Sequence, residues 1–208
     1  MVSSFLKYPV FQTLLYEKSC IYRYHDDINC HNISHIYSDK LLQHDANHLY
    51  LLSSLTLIIP SLFSTLILGS LSDSWNVKVP MLVPFVALIL ADFSYILQCT
   101  FMNWNPYYLL ISDFIFGLFG GFTAIIGTMS SYAIKTTSSN FRSERMAAFE
   151  GSIGLGTTFG YAVSGLLREA VGYAYVFLIL MVLHISAFVY ILFFTKEIIQ
   201  NDPSANEI

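Results

Sequence analysis

The chain has 208 residues, 55% hydrophobic and only 12% charged, with a net charge of −4 and a mean hydropathy of +0.58. A soluble domain of this size carries roughly a quarter charged residues on its surface, so a soluble globular fold is excluded. The mild acidity points to no nucleic-acid partner, and three cysteines are too few for a disulfide scaffold.

Residues 1–16 read as a partial transmembrane helix, because the apolar stretch from Phe5 to Tyr16 is too short to span unaided. That stretch is interrupted by Lys7 and Pro9 and runs into Tyr16-Glu17-Lys18 without a small-residue cleavage site, so no cleavable signal peptide is expected. Residues 17–48 read as a polar extracellular or lumenal loop. Residues 49–195 hold five full spans, at 49–71, 79–101, 107–132, 146–167 and 173–195, each near or above the roughly 20 residues a bilayer core requires. The first of these contains Pro60 and the second Asp92. The third carries Asp113 and the run Gly117-Leu118-Phe119-Gly120-Gly121. The fourth carries Glu150 with Gly151, Gly154, Gly156, Gly160 and Gly165, and the fifth carries His184. Residues 196–208 form a tail.

The basic residues of the short connections set the orientation. Lys78, the group Lys135, Arg142 and Arg145, and Lys196 fall on one side, which is assigned to the cytoplasm. The opposite side receives residues 17–48, where five acids outnumber Lys18, Arg23 and Lys40, and the uncharged turn Asn103-Trp104-Asn105-Pro106. Trp104, Tyr107 and Tyr108 stand where an interfacial aromatic belt is expected.

Within the outer loop, Asn32-Ile33-Ser34 is a glycosylation sequon. Cys20 and Cys30 share an oxidising compartment, which makes them disulfide candidates. His25, His31, His35, His44 and His48 lie in the same loop with Asp26 and Asp27, but their spacing matches no closed zinc pattern. The loop is therefore read as solvated and glycosylated, and no metal or cofactor is expected.

The segment from Gly69 to Lys78 resembles the major facilitator signature G-x-L-x-D-x-x-G-[RK]-[RK]. Gly69, Leu71, Asp73 and Lys78 match, whereas Asn76 replaces the second glycine and Val77 the first base. Gly69 is expected to permit close helix approach, and Asp73 to pair with a nearby base in a cytoplasmic gate that includes Lys78 and Arg145. Two further stretches, Leu14 to Cys20 and Phe141 to Gly151 followed by Ser152-Ile153-Gly154, are similar to the proton-coupled folate transporter and thymic stromal cotransporter family (solute carrier family 46). Gly172-Tyr173-Ala174 is similar to the same family.

That resemblance implies an all-α membrane protein built as the N-terminal six-helix half of a major facilitator, with the first helix lacking its beginning and two inverted three-helix repeats. It implies secondary active transport of a small organic solute, with protons as a coupling partner, in the plasma or endolysosomal membrane. Glu150 matches a family glutamate implicated in proton coupling, and burial is expected to let it exchange protons near neutrality. Asp113 is expected to line the substrate cavity, where an acid argues against simple folate recognition and favours a cationic or neutral solute. Asp92 and His184 are read as hydrogen-bonding to neighbouring helices, and Gly156 and Gly160 as close-packing positions. The chain stops just after the sixth helix of a twelve-helix family. A half transporter or incomplete gene product is therefore expected, completed by a homodimer or a missing C-terminal half and inactive as a monomer. The alternative is a non-transporting regulator or partner subunit of a full-length relative. A membrane enzyme is not expected, because no nucleophile, base and orienting residue are grouped.

Overall fold

A computed structural model describes residues 2–24, Cys30, 39–74 and 76–196. Among the described residues, seven α-helices carry the fold: α1 (Val2–Tyr24), α2 (Lys40–Ser74), α3 (Lys78–Thr100), α4 (Leu109–Leu118), α5 (Gly121–Lys135), α6 (Arg142–Val171) and α7 (Tyr173–Phe194). A short 3-10 turn, Pro106–Tyr108, leads into α4. Because α4 and α5 continue one another across a break, these helices make six passes through one bundle.

Two helices run further than the sequence suggests. α1 has 23 residues and continues eight residues past Tyr16, while α2 begins at Lys40 rather than Leu49. The charged residues that read as loop are therefore helical turns that pack. Glu17 and Lys18 are buried against neighbouring helices, where a solvated loop was expected. Among the described residues, four segments are both long and apolar enough to cross a membrane: Lys40–Asp73, Lys78–Thr100, Pro106–Lys135 and Tyr173–Phe194. α6, expected as a full span, is long enough at 30 residues, about 45 Å at 1.5 Å per residue. It falls outside that set because Arg142, Glu144, Arg145, Glu150, Arg168 and Glu169 punctuate a glycine-rich helix.

The packing has an internal symmetry. α1 packs chiefly on α6, the α4–α5 pass packs on α2, and α3 packs on α7. Exchanging the first three passes with the last three maps this set of contacts onto itself, as inverted three-helix repeats require. α6 buries only Gly156, Gly160 and Ser164. Three small residues at a spacing of four make a smooth strip along which a neighbouring backbone can approach closely.

The glycine run in the fourth pass has a geometric cause. Gly120 adopts φ +92° and ends α4, and Gly121 follows at φ +56°, a region that favours glycine. The break frees carbonyls that hydrocarbon cannot satisfy. Ser64 Oγ of α2 donates to the Leu118 carbonyl at 2.5 Å, and Thr65 Oγ1 adds a second donor, at 3.1 Å, to the Gly120 carbonyl, which already accepts the Ala124 amide at 3.0 Å as α5 starts. At Gly117 a Cβ would stand 2.5 Å from the Leu57 carbonyl oxygen and 2.9 Å from Pro60 Cγ, so only glycine lets α4 cross α2 there.

Candidate functional site

Among the described residues, two neighbouring clusters of ionisable side chains meet at Tyr95 inside the bundle. In the first, Asp113 of α4 is 5% exposed and accepts hydrogen bonds from the hydroxyls of Ser53 on α2 and Tyr95 on α3. Lys7 of α1 supplies an opposite charge to it. The Lys7 ammonium stands 4.6 Å above the centre of the Tyr95 ring and 5.2 Å from that of Phe116, a cation–π arrangement that desolvation strengthens. Four helices thus converge on one carboxylate. The acid that read as favouring a cationic solute already has a cation from its own chain.

In the second cluster Asp92 of α3 and His184 of α7, 0% and 1% exposed, meet at 2.5 Å between Oδ2 and Nδ1. The other ring nitrogen, Nε2, lies 3.4 Å from Ser4 Oγ of α1. Tyr95 stands between the clusters. It is fully buried, stacks on Phe177 at 4.9 Å between centroids and meets Phe11 edge-on at 5.5 Å.

A cavity of about 910 Å³ opens between the start of α1, α3, α5, the start of α6 and the end of α7. His184 and Ser4 lie in its wall, with Met81, Phe85 and Met129 making it largely apolar and Arg145 adding a cation. It sits toward the end of the bundle that carries Lys78, Lys135 and Arg142, termed here the basic end.

At the basic end Asp73 pairs with Lys135 of α5 at 3.4 Å. Lys135 also donates to the Ser72 carbonyl at 2.6 Å, and the Ser72 and Ser131 hydroxyls meet at 3.2 Å. Lys135 is therefore a base that ties α2 to α5 across the signature segment, a role the sequence did not assign to it. Asn76, standing where the signature has glycine, accepts the backbone N–H of Lys78 at 3.0 Å and so caps the start of α3. Lys78 itself is half-buried. Gly69 does not make the close approach expected of it: a Cβ there would meet nothing within 4 Å among the described residues. Glu150 is exposed on α6, so the burial invoked for its proton exchange is not present in this chain.

The opposite end is held by polar contacts absent from the sequence reading. Tyr173 donates to Glu17 at 2.7 Å and accepts from Arg168 at 3.2 Å, joining α7, α1 and α6. Tyr16 donates to Asn47 at 2.9 Å, joining α1 to α2. Cys20 and Cys30 are joined in a disulfide with Cα atoms 5.6 Å apart. Asn32, His25, His31, His35, Asp26 and Asp27 lie outside the described residues, as does the tail from residue 197. Lys7, Ser53 and Tyr95 were missed as site residues. The one signal available was Lys7, a charge within an apolar helical run.

The sequence matches the Major Facilitator Superfamily over residues 33–207. The chain belongs to the Major Facilitator Superfamily. Within it, the chain is 30% identical over 151 residues to the lysosomal proton-coupled steroid conjugate and bile acid symporter SLC46A3 of Homo sapiens, a match covering 72% of this chain and 32% of that relative. It is 28% identical over 150 residues to the Bos taurus protein of the same name, again covering 72% and 32%. The resemblance to solute carrier family 46 thus holds, and the matched region spans about a third of the length of these curated relatives. An all-α major facilitator half fits both the family match and the helical bundle.

Proposed function

We propose that this chain forms the solute-carrying half of a secondary active transporter that moves a small organic solute across a membrane in symport with protons. The observation that carries the reading is Asp113, a carboxylate buried at the meeting of four helices and held by Ser53, Tyr95 and Lys7. Burying an ionisable cluster in an apolar bundle is costly, and such groups mark ion and substrate pathways. The superfamily match and the similarity to a proton-coupled symporter support the same reading.

The solute class follows from the basic-end cavity. A volume of about 910 Å³ lies within the range of small-molecule sites. An apolar wall of Met81, Phe85 and Met129 with Arg145 beside it suits an amphipathic organic anion. This matches what the similar symporter is named for, steroid conjugates and bile acids. The basic end is assigned to the cytoplasm and the membrane to the plasma or endolysosomal class. Glu150, exposed on α6, is assigned to proton entry from water rather than to a buried relay.

The test is uptake of a radiolabelled steroid conjugate into proteoliposomes containing the chain, with and without an inward proton gradient. Saturable, gradient-driven uptake that Asp113→Asn abolishes and Arg145→Gln weakens supports the reading. Uptake absent under every gradient from the chain assembled with a second copy or with a C-terminal half, and folded and inserted, overturns it.

A further inference from the structure

The Asp92–His184 pair has no part in holding Asp113, yet it is fully buried in the bundle. Its members come from α3 and α7, which pack on each other along the bundle. Asp92 Oδ1 is fully buried and accepts no hydrogen bond among the described residues. An unpaired oxygen of that kind is costly in an apolar interior and calls for a reason.

Charge supplies one. The groups around the pair are Ser4 of α1 at Nε2 and Tyr95 on α3 itself, with Lys7 of α1 over the Tyr95 ring and Asp113 of α4 beyond the Tyr95 hydroxyl, and Arg145 of α6 with Tyr132 of α5 in the wall of the cavity that His184 also lines. Both carboxylates act on the Tyr95 hydroxyl, so the two clusters form one electrostatic unit. Within it two carboxyls, Asp92 and Asp113, share one buried ammonium, Lys7, while the exposed Arg145 is screened by water. An uncompensated charge in such a place is far more costly than a paired one. Asp113 accepts from Ser53 and Tyr95 with Lys7 as its cation, whereas Asp92 has an oxygen without a donor among the described residues, so a proton that completes the unit falls to the Asp92–His184 pair.

The same geometry gives that proton a route. Nδ1 of His184 faces Asp92, while Nε2 faces Ser4, and both His184 and Ser4 form part of the cavity wall. With Nδ1–H bonded to Asp92, Nε2 is the acceptor, and a proton delivered to it from cavity water makes the ring a cation against the carboxylate. Its removal from Nε2 returns the pair to the unprotonated state. The Ser4 hydroxyl, able to donate or accept, can hand the proton on in either direction.

We propose that the Asp92–His184 pair is a proton-exchange site that opens through Ser4 to the basic-end cavity. The site is distinct from Asp113 and Glu150 and does not depend on the identity of the solute.

The experiment uses the chain in lipid nanodiscs at neutral pH, with isotope-labelled histidine for nitrogen NMR and difference infrared spectroscopy of carboxyl groups. The His184 signal is identified by its loss in His184→Gln. A charged His184 ring that becomes neutral in Asp92→Asn supports the proposal, as does a protonated-carboxyl band that Asp92→Asn removes. A neutral ring together with an ionised Asp92 in the native chain overturns it, and the native spectra suffice if the variants do not fold. For the route, Ala148, an exposed cavity residue, is changed to Cys in a Cys99→Ser background and blocked with a maleimide. Loss of the fast phase of the pair's response to a pH jump supports access through the cavity. An unchanged response overturns it.

Discussion

The Lys18 ammonium, buried at 0% exposure on α1, donates to the backbone carbonyl of Phe101 at 3.0 Å and to that of Gln98 at 2.8 Å. It thereby caps the end of α3 with a positive charge. The last carbonyls of a helix are unsatisfied and carry the negative end of its dipole, so a cation there serves both needs.

Lys18→Met keeps the apolar stem and removes the donor. The variant is expected to lose about 1–3 kcal/mol, the cost of leaving buried carbonyls without a charged partner. The check is thermal unfolding in detergent, followed by the fraction of chain remaining monodisperse. A midpoint equal to that of the native chain removes Lys18 from the account of stability.

Glycine positions separate in the same assay. Gly117→Val drives side-chain atoms into the Leu57 carbonyl and Pro60, and is expected to cost about 1–3 kcal/mol as an overpacking change. Gly69→Ala meets nothing within 4 Å among the described residues and sits near the end of a helix, where alanine is the better former by up to about 1 kcal/mol. Its midpoint is expected to hold or rise. Equal losses in both variants would contradict the packing described for α2 and α4.

Acid should loosen the junction between α1 and α2. Asp39 accepts the Tyr24 hydroxyl and the amides of Leu41 and Leu42, the latter at 2.9 and 3.4 Å. The Tyr24 bond, aided by those amides, holds the Asp39 carboxyl below its ordinary range. A carboxyl depressed by folding stabilises above its unfolded-state value, and the contribution disappears as pH falls through the folded-state value. The unfolding midpoint of the native chain is therefore expected to drop more between neutral and strongly acidic pH than that of Asp39→Asn. Parallel curves would show that the carboxylate contributes nothing.

The orientation assigned to the bundle predicts that Asn32 is glycosylated and that the C-terminus faces the cytoplasm. Glycosidase treatment is expected to shift the native band and leave Asn32→Gln unmoved. A tag after Ile208 that antibody reaches from outside intact cells would reverse the assignment.

The apolar passes were legible because their composition alone identifies them, and the family followed from a handful of motif residues. What the sequence hid is where polar residues find partners. Lys18 and Glu17 read as loop because charge near a helix end is usually solvated; tertiary contacts from α3 and α7 draw them inside. Asp92 and His184 are 92 positions apart, and no spacing rule reports that α3 and α7 bring them to 2.5 Å. Asp113 was visible as an intramembrane acid, but its neutralising Lys7 lies 106 residues earlier in the helix expected to be incomplete. Glu150 shows the opposite error, since a family match located the residue without reporting that its side of α6 is open.

The grip of Ser64 and Thr65 on the broken fourth pass has a mechanical consequence. Sliding α2 by one turn, or twisting it about its axis, would strand the Leu118 carbonyl in hydrocarbon and strip the second donor from that of Gly120. Such ratcheting is therefore barred. α2, α4 and α5 travel as a single solid block, and a swing that opens one end of the bundle falls to contacts outside it, among them the smooth strip of Gly156, Gly160 and Ser164 on α6, the helix that packs on α1.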